Sequence, residues 1–312
     1  MKTKLCSIAI ATTLALSVSV SIAGECEPSC VIDSIGEKVC VRRIPQRVVS
    51  LAPSLTELMF DLNAGSRLVG RTSRCNFPEE ARSVLEVGLY MAPDFEKLLT
   101  AKPDLVLATK NGMRLELIDR IKGFGIPVYV DDSSSIDEIK NLISKVGFLI
   151  GQNQDARALI TDIQTRRDSL RQVLANLERR SVLFVVGINP LIVASSGSFL
   201  SSLISEAGGK NVVNDLGIPF PKLSIEEVIK QDPDVIFMLD KECHGIECIG
   251  YWKNYAFLKA FRSNRIYEVD SDLVSRPGAR TIRALEILSN HLHSIKVIPA
   301  LPATNNTVFK GN

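Results

Sequence analysis

The stretch FEKLLTAKPDLVL at residues 95–107 combines a short helix with an apolar face, a Pro-Asp turn and a buried strand. The stretch IEEVIKQDPDVIF at residues 225–237 repeats this order, and in both copies a glutamate precedes the proline by the same interval. Helix, tight turn and strand form the building unit of a parallel α/β sheet. The repeat indicates two lobes of similar fold, since its offset far exceeds the period of a solenoid. The alternative is chance recurrence of a connection that is common in α/β proteins.

Strand-like apolar runs recur along the chain with helical patterns between them, which predicts an α/β fold with parallel sheets covered by helices on both faces. The runs occupy residues 48–51, 105–108, 128–130, 182–186, 235–239 and 266–269. After the first run, Ser54 and Glu57 have the spacing of a capping box at the start of a helix. Gly65 is expected to end that helix.

A long amphipathic pattern without Gly or Pro covers residues 152–178 and predicts one helix that crosses between the lobes. The predicted organisation is therefore an N-terminal lobe at 47–151, this interlobe helix, and a C-terminal lobe at 179–297. The remaining segment, 298–312, is rich in Pro, Asn and Thr and is expected to be a disordered tail.

Residues 1–23 have the pattern of a cleaved signal peptide. Two lysines precede an uncharged apolar stretch, which closes on small residues at Ser21 and Ala23. An uncleaved membrane anchor is the alternative, but the stretch is short for a span and contains several Ser and Thr residues. Glu25 before Cys26 argues against a lipoprotein. We therefore expect a soluble mature protein outside the cytoplasm.

The signal peptide carries Lys2 and Lys4, which account for the whole formal charge of +2. A neutral mature chain excludes a basic nucleic-acid coat protein and a highly charged disordered protein. No P-loop, G-x-G-x-x-G, H-E-x-x-H or G-x-S-x-G motif is present. His244, His291 and His293 are the only histidines. The absence of these motifs and the small number of histidines argue against an enzyme.

Six of the seven cysteines follow the signal peptide, which in an oxidising compartment indicates disulfides. Residues 24–46 read as a hairpin with a turn at 33–36, and this turn places Cys30 opposite Cys40 at bonding distance. The pairing of the other cysteines stays open. Cys243, His244 and Cys248 form a close group that fits a local disulfide or loop staple better than a metal site, because a tetrahedral zinc site needs a fourth ligand.

Several motifs together resemble a known family. They are RVVSLAPSLTE at 47–57, GINP at 187–190, AGG at 207–209, SIE at 224–226 and RPGAR at 276–280. They are similar to the periplasmic substrate-binding proteins of ABC importers for cobalamin, ferric siderophores and haem, and they run in family order over about residues 32–295. The resemblance implies a class III periplasmic binding protein, in which two Rossmann-like lobes with parallel sheets are joined by one long helix. It also implies a ligand held between the lobes.

Within this family, the GINP motif is most similar to the cobalamin-binding members, which implies a corrinoid ligand and no covalent cofactor. Tyr90 matches a position where those proteins place an aromatic ring against the corrin. Thr109, however, stands where they have Trp, so a ferric siderophore or haem remains the alternative ligand. Arg276 and Arg280 would then bind carboxylates of the ligand; equally, they could form salt bridges at the surface or between the lobes.

The remaining expected cleft residues follow from their place in the pattern. Ser54 begins a helix, and Asn189 and Pro190 follow a strand end, where α/β sheets bind ligands. The resemblance also gives Glu96 and Glu226 a role, because one glutamate on each lobe of the cobalamin-binding members pairs with arginine on the dimeric permease. Ordinary solvated helix charges are the alternative for both.

Overall fold

The computed structural model describes residues 27–110, 113–214, 216–242 and 248–295. The expected signal peptide, the expected tail, and Cys26, Cys243 and His244 lie outside the described residues. The strands are β1 (Ser29–Ile32), β2 (Lys38–Val41), β3 (Val48–Ser50), β4 (Leu68–Arg71), β5 (Gly88–Leu89), β6 (Ala92–Pro93), β7 (Leu105–Thr109), β8 (Val128–Asp131), β9 (Arg180–Gly187), β10 (Ile192–Val193), β11 (Gly209–Asn211), β12 (Val235–Leu239) and β13 (Ile266–Val269). The helices are α1 (Pro53–Asp61), α2 (Phe95–Thr100), α3 (Leu115–Lys122), α4 (Ile136–Leu149), α5 (Asn153–Leu174), α6 (Phe199–Glu206), α7 (Ile225–Gln231), α8 (Cys248–Tyr251), α9 (Lys259–Arg262), α10 (Ser271–Val274) and α11 (Thr281–His293).

Two sheets confirm the predicted α/β fold. The N-terminal sheet has the order β4-β3-β7-β8 and is parallel throughout. The C-terminal sheet has the order β10-β9-β12-β13, with β11 also paired to β9, and only the short β10 runs antiparallel. The strand order reverses at β3/β7 in the first sheet and at β9/β12 in the second. Such switch points open a crevice at the carboxyl ends of the strands.

The first helix differs from the expectation at both ends. Ala52 is the N-cap residue of α1 and no side chain caps the helix, so the predicted capping box of Ser54 and Glu57 is wrong. Pro53 supplies the helix start, since its fixed φ suits the first turn. The helix ends at Asp61 rather than at Gly65, because Asn63 adopts a left-handed φ of 54°. Because the Glu57 carboxylate does not cap α1, it is available to bind other side chains.

The expected interlobe helix is α5, which spans Asn153–Leu174 and is 22 residues long, about 33 Å. Ala156, Ile163 and Leu170 point inward along it at seven-residue spacing. They belong to one apolar cluster that also contains core residues of both sheets. The apolar core therefore runs without a break from one lobe through α5 into the other.

An arginine in the middle of α5 adds a polar connection between the lobes. Arg167, which is 5% exposed, contacts Asp137 of α4 at 2.9 Å and Glu206 of α6 at 2.5 Å. The hydrogen bond from Arg167 and another from Lys140 lower the pKa of Asp137 to about 2. Along α5, the side called the back of the molecule below, the two lobes are thus held together by ion pairs as well as by apolar packing.

The N-terminal hairpin and its disulfide are confirmed. Cys30 lies opposite Cys40 in the β1–β2 register, and the two are bonded. The carboxylate of Asp33 shapes the turn, because its Oδ1 accepts hydrogen bonds from the backbone N–H groups of Ile35 and Glu37. Within the described residues Cys75 forms no disulfide and is buried. In the same part of the chain, no helix is long and apolar enough to cross a bilayer.

Candidate functional site

The two lobes contact each other at the carboxyl ends of their sheets, where the sequence predicts the ligand cleft. Ser54 lies in the first turn of α1, just after β3, and Gly278 of the other lobe approaches it so closely that a Cβ there would lie 3.5 Å from the Ser54 Cβ. Asn189 and Pro190 form the exposed turn between β9 and β10. The structure thus places all three residues at the strand ends where the sequence predicted them, although whether they contact a ligand stays a prediction.

The buried carboxylate of Glu57 forms ion pairs that connect the two lobes at this cleft. Glu57 of α1 is 3% exposed and accepts hydrogen bonds from two arginines of the C-terminal lobe. Arg276 Nη1 lies 2.7 Å from Glu57 Oε1, and Arg280 binds both carboxylate oxygens at 2.8 Å through Nε and Nη2. Bidentate, charge-assisted bonds of this kind are among the strongest side-chain interactions.

The two arginines therefore have a partner within the protein. We expected either an anionic ligand or a salt bridge, and the structure shows the interlobe salt bridge for both. Other donors of Arg276 are also engaged, because Nη2 lies 2.8 Å from Asp272 Oδ1 and 2.9 Å from Asn76 Oδ1. Contact between these arginines and a ligand stays a prediction.

The ion pairs extend into a cluster that joins loop 72–78 of the N-terminal lobe to the segment after β13. The Arg280 guanidinium lies 3.9 Å from the centre of the Phe77 ring, a cation–π contact. Lys241 Nζ lies 2.5 Å from Asp272 Oδ2, whose second oxygen faces Arg276. Positive and negative groups alternate in this cluster, so each charged side chain contacts at least one of opposite sign.

Tyr90 lies in the turn between β5 and β6, and its ring packs partly against the apolar core. Burial raises the pKa of its phenol, and the nearby Cys75 and Asp131 raise it further. The side chain is therefore a neutral phenol at physiological pH. An aromatic ring with one buried face and a polar tip can stack against a flat ligand and donate a hydrogen bond.

Sequence reasoning missed Phe220, and the internal repeat contains the signal that finds it. Tyr90 precedes Glu96 by six positions, and Phe220 precedes Glu226 by the same interval. Phe220 is 45% exposed and lies in the segment that runs beside β10, at the carboxyl end of β9. Each lobe thus carries a partly exposed aromatic side chain at the equivalent position of the repeat.

Glu96 and Glu226 occupy matching places on α2 and α7. Each is exposed and follows an N-cap residue whose side chain closes the first turn, Asp94 in α2 and Ser224 in α7. The other charges nearby are paired within their own helix segment, as Asp94 with Lys97 at 3.9 Å and Glu227 with Lys230 at 3.8 Å. Among the described residues, neither Glu96 nor Glu226 has an ion-pair partner, so α2 and α7 each present an unpaired carboxylate in their first turn.

Two surface cavities lie elsewhere. They have volumes of about 410 and 380 Å³, share Arg179 and Ser205, and lie beside β11, at the amino end of β9. This is the edge of the sheet opposite the cleft. In the described part of the chain no group of His, Cys, Asp and Glu side chains is arranged to hold a metal ion, and the Cys243–His244 segment lies outside that part.

Asp131 ends β8 beneath Tyr90 and yields a prediction on pH. It is 1% exposed, and burial raises its pKa from 3.8 to about 6, although two hydrogen bonds from Ser133 oppose the rise. Between about pH 4 and pH 6 the folded state binds more protons than the unfolded state. The contribution of Asp131 to the free energy of unfolding therefore falls as pH rises through this window and stays low above it.

Asp131→Asn should remove this effect and stabilise the protein at pH 7.5 by about 1–3 kcal/mol relative to wild type. Urea unfolding of both proteins at pH 4 and pH 7.5 measures the difference. A gap between variant and wild type that is the same at both pH values would contradict the raised pKa.

The chain is similar in sequence to periplasmic binding proteins. A family model described as periplasmic binding protein matches residues 48–285. The vitamin B12-binding protein of Vibrio parahaemolyticus is 27% identical over 251 residues, which cover 80% of this chain and 90% of that protein.

Solved structures of periplasmic binding proteins have the same fold. The periplasmic vitamin B12 binding protein BtuF of Vibrio cholerae superposes with a TM-score of 0.73 and 26% identity, over 80% of this chain and 97% of that one. The periplasmic heme-binding protein RhuT from Roseiflexus sp. RS-1, in apo form, superposes with a TM-score of 0.73 and 28% identity, over 80% and 98% of the two chains. The fold described above is thus shared with a vitamin B12 binding protein and a heme-binding protein.

Proposed function

Because the chain belongs to the periplasmic binding protein family, we propose that it captures a corrinoid between its lobes and delivers it to the permease of an ABC importer. One observation carries the choice of ligand: the similarity to vitamin B12-binding proteins extends over about nine-tenths of their length. The binding role itself is common to the relatives, which are substrate-binding proteins of importers.

The aromatic side chains at the strand ends support a flat macrocycle as the ligand. Tyr90 and Phe220 lie at the carboxyl edges of different lobes, so a ring system between the lobes has an aromatic side chain available on each side. We assign Ser54, Asn189 and Pro190 to the same ligand site, because each follows a strand end at this edge of the sheets. Aromatic contacts of this kind contribute about 0.5–1.5 kcal/mol beyond simple burial.

The charges in the cleft also favour a corrinoid. Its periphery carries mostly amide groups, whereas haem and many siderophores carry carboxylates. Arg276 and Arg280 are already paired with Glu57 and Asp272, so they offer less to a carboxylate ligand than two unpaired arginines would. A ligand with neutral hydrogen-bonding groups can enter without displacing this ion pair.

Calorimetry with cyanocobalamin and haemin tests the proposal. We expect cyanocobalamin to bind with one site per chain, and Tyr90→Ala and Phe220→Ala each to weaken it about 10-fold. Phe257→Ala is the matched control, because this ring is 56% exposed but lies near the amino end of β12, away from the cleft. Absence of cyanocobalamin binding by the wild type would refute the corrinoid assignment.

Haem is the second candidate, favoured by the similarity to RhuT at 28% identity. The absorbance of protein purified from its native host separates the two ligands, since a corrin spectrum supports the first proposal and a Soret band supports the second. A ferric siderophore belongs to the same importer class and would show neither. Metal analysis of the same sample tests the remaining alternative, a metal site at Cys243, His244 and Cys248.

We assign docking on the permease to Glu96 and Glu226. Their exposure, their matching place on α2 and α7 and their lack of an ion-pair partner among the described residues all support the role. Two equivalent carboxylates on two lobes suit a two-fold permease that offers arginine at both positions. Complementary charges of this kind govern orientation and association rate more than affinity.

Glu96→Arg together with Glu226→Arg should abolish transport and leave ligand affinity unchanged, because the charges repel the permease without touching the cleft. Uptake of labelled ligand and calorimetry measure the two effects. The control is Glu116→Arg with Glu178→Arg, an equal change of charge at exposed sites outside α2 and α7. Loss of ligand binding in step with transport would count against the docking role.

We further propose that the protein works in the periplasm as a monomer, without enzymatic activity, after cleavage at Ala23. N-terminal sequencing of protein from a periplasmic extract should begin at Gly24. A mature protein that retains residues 1–23 would contradict this placement.

A further inference from the structure

We propose that Glu57, Arg276 and Arg280 form a latch that sets the separation of the lobes and thereby the time for which a ligand stays bound. These are positioning residues: they act through the loop that supports Tyr90. The inference rests on the proposed function only for the choice of ligand used to test it, because the latch itself is a property of the ligand-free protein.

The latch joins elements that no strand connects. Glu57 belongs to α1 of the N-terminal lobe, whereas both arginines follow β13 in the C-terminal lobe. The Glu57 side chain is only 4% exposed and the Arg276 side chain 9%. Opening the cleft must separate these groups, and a carboxylate that loses both partners while still shielded from water is strongly disfavoured. The contact therefore opposes opening in a way that an exposed ion pair would not.

The latch is connected to the aromatic side of the cleft through loop 72–78. Arg276 Nη2 donates to Asn76 Oδ1 at 2.9 Å and to the Arg74 carbonyl at 3.3 Å. In the same loop, the N–H of Ser73 donates to the carbonyl of Gly88 at 2.9 Å, two residues before Tyr90. Loss of the latch frees the loop from the other lobe and with it the support of Tyr90.

A second set of interlobe contacts lies along α5, on the side of the molecule away from the latch. At the back, α5 packs into both lobes and Arg167 bridges Asp137 and Glu206. A molecule held only at the back pivots about α5, so the front of the cleft widens most. The ion pairs of Glu57 with Arg276 and Arg280 therefore hold the two lobes at a constant separation across the cleft.

Glu57→Gln keeps the shape of the side chain and removes the charge. We expect the dissociation rate of cyanocobalamin to rise about 10-fold, with a smaller change in the association rate, since the loss of charge-assisted bonds acts mainly on dissociation. Surface-immobilised protein and flowing ligand give both rates. Asn76→Ala, which removes one arm of the cluster, should give a smaller increase and serves if Glu57→Gln folds poorly.

The matched control is Glu286→Gln. Arg166 binds Glu286 in a bidentate pair at 2.9 and 2.7 Å, and the Glu286 side chain is 5% exposed, so its burial and its bidentate arginine match those of Glu57, which has Arg276 as a second partner. This pair joins α5 to α11 and does not cross the cleft. Both variants should lose a similar amount of thermal stability, but only Glu57→Gln should change the rates of binding.

Hydrogen exchange of the ligand-free proteins tests the latch independently of the ligand. Glu57→Gln should speed exchange in residues 72–78 and 270–280 while α5 stays protected, and Glu286→Gln should not affect these segments. Unchanged exchange in a folded Glu57→Gln protein, or equal changes in both variants, would overturn the latch. If wild type fails to bind cyanocobalamin but exchange changes as expected, the corrinoid proposal fails and the latch stands.

Discussion

The buried carboxylate of Glu57 is the interaction on which the front of the molecule depends. It lies between two lobes that are separate sheets, and it receives one arginine from each end of the RPGAR segment. Burial makes the arrangement all-or-none, because a half-separated pair leaves charge without water or partner. The lobes therefore approach to a defined distance, which a cleft for a rigid ligand requires.

Packing along α5 supplies the complementary constraint at the back. Its inward residues belong to the same apolar cluster as one face of each sheet, so this cluster is shared by the two lobes, while the opposite face of each sheet packs in a separate cluster. Such continuity explains why a single helix can serve as connector. The helix fixes the pivot, and the charges in front fix the opening. Ligand contacts can then be made by exposed loop residues such as Asn189 without carrying the stability of the fold.

Much of the fold could be read from the sequence. The strand at 235–239 and the strand at 266–269 have the predicted bounds, and the disulfide of Cys30 and Cys40 follows from a turn that brings them opposite each other. These features are local, since period-two and helical patterns act over a few residues. The capping box at Ser54 failed for the opposite reason. Its spacing fits a local motif, but Glu57 has stronger partners more than two hundred positions away.

The sequence alone determined the two-lobed α/β architecture, the family motifs and the pair of glutamates in the repeat, because each depends on patterns within short segments. It also contained the equivalence of Tyr90 and Phe220, which the repeat encodes. Only the tertiary structure decided what Arg276 and Arg280 bind. An arginine has the same donors whether it meets a ligand or a protein carboxylate, and only the folded distances show that Glu57 takes them. Charge pairing across a cleft is a property of the assembled lobes, and no local pattern records it.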